Sequence, residues 1–265
     1  MTGGDTLPLT EVIAQEPIAD KLYRMVIEAP VNLKEQGYSP GQFLHFRVTD
    51  SLDFVLRRPI SLCLADEALN RLTVVYRAQG EGTRRIAEKR PGDAVDVLGP
   101  LGNGFSVHQE DERVLLIGGG IGVPPLLELA RELTRQGKRA LAILGFQQAN
   151  QVILLDEFAS FSEVAVATDD GSAGVKGLVT DLFHEERLQG VTRYYACGPT
   201  PMLRAVKEAM AARGVPGYLS LEERMGCGIG LCAGCVHKIS RKGTVRQLKT
   251  CREGPVFPAE EVVFE

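Results

Sequence analysis

Four cysteines, Cys227, Cys232, Cys235 and Cys251, crowd into the end of this 265-residue chain, while Cys63 and Cys197 stand alone. Four residues separate the first pair, two the second, and fifteen more precede Cys251. In a reducing compartment such a group binds metal rather than pairing as disulfides. The C-x4-C-x2-C…C spacing is that of [2Fe–2S] ligation. A structural four-cysteine zinc site is the alternative, although zinc usually takes its ligands as two C-x2-C knuckles. Gly226, Gly228, Gly230 and Gly234 let the loop wrap tightly and turn backbone N–H groups toward sulfur. The stretch 217–265, with short β segments at Val236–Ile239 and Gly243–Gln247, has too few apolar residues for a core of its own. A bound cluster would supply the missing stability.

Ahead of it, two periodicities divide the chain. Residues 1–108 read as all-β, with segments at Lys21–Ile27, Phe43–Val48 and Arg71–Arg77 separated by Pro40-Gly41 and Pro91-Gly92-Asp93. That spacing predicts a small antiparallel barrel, with one helix near Thr83–Lys89. Over 109–216, apolar runs alternate with helical patterns. Strands are expected at Val114–Ile117, Ala140–Phe146, Glu163–Thr168 and Arg193–Cys197, and helices at Leu126–Gln136, Leu178–Leu188 and Met202–Arg213. This is the pattern of a doubly wound parallel sheet that binds a nucleotide. The fold class expected is therefore β plus α/β with a third, plant-ferredoxin-like [2Fe–2S] module.

A hydrophobic share of 44% and a charged share of 24% argue against large-scale disorder, and a formal net charge of -4 gives no footprint for nucleic acid. Met1–Thr6 has neither a basic nor an apolar leader region, and the most apolar stretch, Val114–Ala130, is interrupted by glycines and prolines. A cytosolic protein without membrane spans is expected.

Gly118-Gly119-Gly120-Ile121-Gly122 lies between a strand and a helix that opens on Pro124-Pro125, which sets backbone N–H groups against a pyrophosphate. It departs from the G-x-G-x-x-G fingerprint, and no acidic residue ends the next strand. Cys197-Gly198-Pro199 closes another strand, where open α/β sheets bind ligands; taken alone, Cys197 reads as a small buried hydrophobe. Thr168–Ser172 could meet ribose hydroxyls, and on its own reads as a turn. Arg57-Arg58-Pro59-Ile60-Ser61 and Gly82-Thr83 are anion candidates whose alternative is a solvated surface turn. His184-Glu185-Glu186 lacks the second histidine of a HExxH site and reads as an exposed helix face.

Together these pieces resemble the ferredoxin–NAD(P) reductase family: an R-x-x-S motif at Arg58–Ser61, a GGGxGxxP-like turn at Gly118–Pro125 and a CGP motif at Cys197–Pro199. More narrowly, Leu56–Ser61, Val97–Phe105 and Glu222–Gly230 resemble the electron-transfer subunits of two-protein, NAD-linked dihydroorotate dehydrogenases, in order and spacing across nearly the whole chain. That resemblance implies FAD lined by Arg58, Pro59, Ile60 and Ser61, met at its middle by Val75, Tyr76 and Arg77, and held at its phosphates by Gly82 and Thr83. NAD would be the exchangeable acceptor at Gly118, Gly119, Gly120, Gly122, Cys197, Gly198 and Pro199. It also implies an FMN-containing, dihydroorotate-oxidising partner, a two-plus-two heterotetramer and a place in pyrimidine (UMP) biosynthesis. The lack of an obvious basic pocket for a 2′-phosphate agrees with NAD. A reductase subunit for a hydrogenase, transhydrogenase or sulfite-reducing complex, or a zinc-binding adaptor without catalysis, are the competing readings.

Overall fold

The computed structural model describes residues 9–49 and 52–264, so the Met1–Thr6 segment lies outside it. Seven strands, β1 (Thr10–Ala19), β2 (Leu22–Glu28), β3 (Phe43–Phe46), β4 (Arg58–Asp66), β5 (Arg71–Arg77), β6 (Ala94–Val95) and β7 (Val97–Leu101), form an antiparallel sheet ordered β6-β1-β2-β5-β4-β3-β7. β6 and β7 sit at its two ends yet are separated in the chain by Asp96 alone, so one bent segment closes the ring into a barrel. Arg57 clamps that bend. Its guanidinium donates to the Asp96 carboxylate at 2.7 Å, to the Asp96 carbonyl at 3.0 Å and to the His45 carbonyl at 3.2 Å. Arg57 is thus neither solvated nor free for a phosphate.

Alternation along the strands sends Met25, Ile27, Leu44, Phe46, Ile60, Leu62, Leu72 and Val74 into the barrel core. β3 is buried on both faces. Leu44 and Phe46 point into the barrel, whereas Phe43 packs outward on Met225, Cys235 and Cys251.

The second sheet holds β8 (Arg113–Gly119), β9 (Arg139–Phe146), β10 (Glu163–Thr168), β11 (Val175–Lys176), β12 (Arg193–Cys197), β13 (Gly217–Ser220) and β16 (Val256–Pro258), ordered β11-β10-β9-β8-β12-β13-β16. All pair in parallel except β16. The chain winds outward from β8 through β9 to β11, then returns to β12 on its other side, which makes β8/β12 the topological switch point. The helices of the described residues are α1 (Leu33–Gln36), α2 (Glu81–Ala87), α3 (Pro125–Arg135), α4 (Leu155–Ala159), α5 (Glu185–Leu188) and α6 (Thr200–Ala211). α3 packs on the sheet face turned to the barrel, and α6 belongs to the core on the opposite face.

Two details depart from the sequence expectation. The helix expected at Leu178–Leu188 is a 3-10 turn at Val179–Leu182 followed by α5. The Asp181 carboxylate accepts the Leu178 N–H at 2.8 Å, a local bond that competes with a regular helix. Val179, Leu182 and Leu188 are buried against the sheet, and that burial is what imitated helical spacing. The parallel sheet also runs past residue 216 through β13, where Gly217 leaves room for the Tyr194 ring, 2.3 Å from where a Cβ would stand. The chain leaves the sheet after β13 and rejoins it at β16, so the cysteine-rich segment is a long excursion between two adjacent strands.

Barrel and sheet share one apolar core in which Leu22, Cys63 and Val75 meet Leu126, Leu129, Ala130 and Leu133. A buried polar latch crosses it. Glu128, 1% exposed, accepts the Ala65 N–H at 2.8 Å and pairs with Arg131, which also donates to the Ala65 carbonyl.

Candidate cofactor sites

At the switch point, Gly118 at the end of β8 stands in register with Cys197 at the end of β12. The two glycine motifs pack backbone to backbone. A Cβ on Gly122 would lie 2.3 Å from the Cys197 carbonyl oxygen and 2.6 Å from Gly198 Cα. One on Gly119 would strike Met202 Sδ at 2.5 Å and Pro199 Cδ at 3.1 Å. Gly120 has a φ of +54°, which suits glycine at the mouth of the turn. These glycines let the two motifs close on each other, a constraint that adds to any approach of a phosphate. Gly122→Ala is expected to cost about 1–3 kcal/mol, because the Cys197-Gly198 backbone, which cannot swing aside as a side chain can, stands where the new methyl group would go; urea unfolding measures it. Cys197 is buried, and burial pushes its thiol above the ordinary range.

Glu222 stands near Cys197 at the same sheet edge. One side of it is open to solvent, yet the protein packed around it raises its carboxyl above the ordinary range, as a cleft does. Thr168–Ser172 behaves as a turn: Asp170 accepts the Ser172 N–H at 2.9 Å, and the Ser172 hydroxyl accepts the Ala149 N–H at 2.7 Å. His184 is exposed, as expected.

On the barrel, Arg58 and Gly82 come together across the sheet. A Cβ on Gly82 would stand 2.8 Å from Arg58 Nε, so the guanidinium lies against the start of α2. The Thr83 hydroxyl is used locally, accepting the Gly80 N–H at 3.2 Å and donating to the Gly80 carbonyl at 3.0 Å. Ile60 and Tyr76 turn their side chains into the barrel core, and Tyr76 OH accepts from Gln15 at 2.8 Å. Val75 faces the interdomain core, whereas Pro59 and Ser61 are half-buried. A buried Arg77 Nε has no hydrogen-bond partner among the described residues, and its guanidinium lies 3.9 Å from the Cβ position of Gly120. Arg77 therefore joins the barrel's candidate residues to the glycine turn. An orphaned donor facing the glycine turn fits an anionic cofactor lying between barrel and sheet.

The cysteine loop is built by a hairpin. β14 (Val236–Arg241) and β15 (Thr244–Lys249) pair antiparallel through a two-residue turn at Lys242-Gly243, with φ of +50° and +76°. The base of this hairpin brings Cys235 and Cys251 together despite fifteen intervening residues, and the Thr250 N–H donates to the Cys235 carbonyl at 2.7 Å. The loop before it turns through Gly228 and Gly230, at φ of +72° and +83°. That curvature aims the Gly230 N–H at Cys251 Sγ, 3.2 Å away, and the Cys232 N–H at Cys227 Sγ, 3.4 Å away. Such donors favour the thiolate. The Cys227 thiol is drawn below its ordinary range, chiefly by the Cys232 N–H, whereas burial pushes Cys251 up. Lys249 Nζ donates to the Gly230 carbonyl at 2.7 Å, so one of the basic residues of this segment braces the loop.

All four cysteines are free thiols. Among the described residues no three metal-ligating side chains are gathered around a single ion; a two-iron cluster shares four thiolates between two metals and spreads them more widely. The buried Thr250 hydroxyl beside Cys251 has no partner among the described residues. Four free thiols and N–H groups aimed at sulfur together fit an iron–sulfur cluster.

Besides the packing on Phe43, two further contacts fasten the loop to the barrel. Asn103 donates from its side chain to the carbonyls of Arg252 (3.0 Å) and Glu253 (3.1 Å), and from its backbone to Gly254. His45, fully buried on β3, fills the space a side chain on Gly228 would need: its Nδ1 lies 2.2 Å from that Cβ position. Neither ring nitrogen has a hydrogen bond of normal geometry among the described residues. Burial and then the Arg57 charge lower its pKa to about 4, against a weaker pull from the Arg57 and Cys227 carbonyls. His45 and Lys249 escaped the sequence reading as site residues, although a histidine within the apolar run Phe43-Leu44-His45-Phe46 was a signal. Asn103 lay in a quoted stretch without a role.

Comparison with known proteins adds the following. Residues 222–263 match the iron-sulfur cluster binding domain of dihydroorotate dehydrogenase B, and residues 116–208 match an oxidoreductase NAD-binding domain. The chain is 49% identical over 255 residues to the dihydroorotate dehydrogenase B (NAD(+)), electron transfer subunit of Geobacillus kaustophilus, spanning 96% of this chain and 97% of that one. With the Bacillus velezensis subunit of the same name the identity is 46% over the same spans. A solved NADH-dependent reduced ferredoxin-NADP oxidoreductase superposes with a TM-score of 0.84 at 31% identity, covering 99% of this chain and 91% of that one. The Neisseria gonorrhoeae ferredoxin NADP+ reductase, with bound FAD and NADP, shares the fold at a TM-score of 0.64 and 19% identity, over 78% and 91% of the chains.

Proposed function

The chain belongs to the family of electron transfer subunits of dihydroorotate dehydrogenase B (NAD(+)), and from that premise we propose that it passes electrons from a dihydroorotate-oxidising partner, through a [2Fe–2S] cluster and FAD, to NAD⁺ in pyrimidine biosynthesis. When bound, FAD converts between single electrons and a hydride, the cluster carries one electron at a time, and NAD⁺ accepts the hydride. The residues of this chain position those groups. Cys227, Cys232, Cys235 and Cys251 hold the cluster. Arg58, Pro59, Ser61, Arg77 and Gly82 receive FAD between barrel and sheet, with Ile60, Val75, Tyr76 and Thr83 contributing backbone or support. Gly118, Gly119, Gly120, Gly122, Cys197, Gly198 and Pro199 form the edge for the nicotinamide nucleotide.

The order of these parts carries the reading. The cluster loop lies on β3, which pairs with the Arg58–Ser61 strand on one side, while the far side of the loop opens outward. There Leu231 is 81% exposed and Ile229 49% exposed, two large apolar residues within the turn between Cys227 and Cys232. An electron source docking there would stand next to the cluster, with FAD behind it. The partner proposed is an FMN-containing catalytic subunit, in a two-plus-two assembly. Among the described residues no helix is long and apolar enough to cross a membrane, and the cytoplasm is the location proposed.

The test is to mix the cofactor-loaded chain with a dihydroorotate-oxidising flavoprotein and follow NAD⁺ reduction. NADH should form only with both proteins present; formation no faster than with the partner alone refutes the assignment. Mass measurement of the complex tests the stoichiometry. Leu231→Asp should weaken the complex by about 2 kcal/mol, roughly thirtyfold, as loss of an interface anchor does. Calorimetric titration with unchanged cofactor content would show it.

A further inference from the structure

The flavin motif and the cluster loop lie in different parts of the chain, and buried side chains of β3, His45 among them, stand between them. His45 pairs with Pro59 in the β3–β4 ladder, so its backbone belongs to the neighbour of the Arg58–Ser61 strand. Its ring leaves the opposite side of the barrel wall and fills the place of a side chain at Gly228, the residue after Cys227. The ring lies against the peptide that follows Cys227. The carbonyls of Arg57 and Cys227, one from each element, are near enough to act on it, although neither ring nitrogen makes a hydrogen bond of normal geometry to a described residue. Phe43, two residues earlier on the same face, meets the ring edge-on at 6.4 Å and packs against Cys235 and Cys251.

A buried imidazole with no hydrogen bond of normal geometry is costly unless its surroundings tighten around it. An apolar residue would cover Phe43 and Gly228 at less cost, so packing alone does not account for a histidine here.

We propose that His45 is a positioning residue of the electron path: by a ring N–H shared between the Arg57 and Cys227 carbonyls, it ties the flavin-binding strand to the cluster loop and holds the first cysteine ligand in place. The proposal rests on the cluster and FAD assignments made above. The ring's bulk sets the spacing of the two backbones, and the N–H sets the orientation of the Cys227 peptide, which feeds directly into the ligand. Groups that orient metal ligands in this way typically matter tenfold or more for metal retention.

The experiment uses the full chain carrying FAD and cluster, with His45→Phe, which keeps bulk and loses the N–H, and His45→Gln, which keeps an N–H donor. Release of iron to a chelator should be about tenfold faster in H45F. The electron paramagnetic resonance signature of its dithionite-reduced cluster should change, and NADH should reduce its cluster more slowly, all at unchanged flavin content. H45Q should recover much of each property. Wild-type values in H45F, or equal impairment in both variants, would overturn the role of the N–H. Wild-type protein without iron and sulfide would overturn the cluster assignment itself, which separates the two failures.

Discussion

Cys251→Ser is expected to strip the chain of its iron and sulfide while leaving FAD in place. Cys251 is almost wholly buried at the foot of the β14–β15 hairpin and receives the Gly230 N–H. A serine hydroxyl there keeps the volume but gives up a soft thiolate, the ligand type that iron–sulfur clusters require. The segment has little core of its own, since Met225, Cys235 and Cys251 bury themselves largely against Phe43 of the barrel. Loss of the cluster should therefore loosen residues 222–255 by the coupling of metal binding to folding. Arg58, Gly82 and Arg77 lie elsewhere, on a barrel with a separate core, so flavin should stay bound. Visible spectroscopy with iron, sulfide and flavin analysis reads the result, and hydrogen exchange reads the loosening. A variant that loses FAD but keeps its iron would contradict the placement of both sites, and zinc in the wild-type chain would remove the electron path.

Glu128→Ala is expected to be the most destabilising substitution away from the cofactors, at about 3–5 kcal/mol, because it leaves a buried charge without its partner. Two groups would lose their carboxylate together: the Arg131 guanidinium, left with only the Ala65 carbonyl, and the Ala65 N–H near the end of β4. Glu128→Gln keeps an acceptor for Ala65 and should cost less. Since Ala65 belongs to the barrel and α3 to the sheet, the damage should fall on the docking of one against the other. Urea unfolding measures the loss, and limited proteolysis should cut between barrel and sheet sooner. A cost below about 1 kcal/mol for the alanine variant would mean that the apolar core alone joins the two parts.

The parts of this chain readable from sequence were those specified by local chemistry. Cysteine spacing identifies a metal loop because ligand geometry constrains neighbours along the chain, and Gly228 and Gly230 take the positive φ values that such a loop needs. β-rich alternation and buried parallel runs announce the barrel and the sheet because burial imposes a period of two or a continuous apolar run. Where an apolar pattern had two possible causes the reading failed, as at Leu178–Leu188, where packing of an irregular segment produced helix-like spacing.

Other features depended on residues far apart in sequence meeting in space. That Arg57 clamps a barrel corner while Arg58 meets Gly82, that Gly122 packs on Cys197, and that His45 and Asn103 hold the cysteine loop are all contacts between distant segments. Such contacts depend on strand order, and a side chain next to its neighbour in sequence points to the opposite face of the strand. By itself the sequence determined that the chain carries a metal-binding cysteine loop and a nucleotide-type glycine turn, because ligand types and glycine positions are local, while FAD came from the resemblance of its motifs to a family. Only the tertiary structure decided how these parts are joined, because β13 and β16 return the cysteine segment to the parallel sheet while β3 presents it to the Arg58–Ser61 strand.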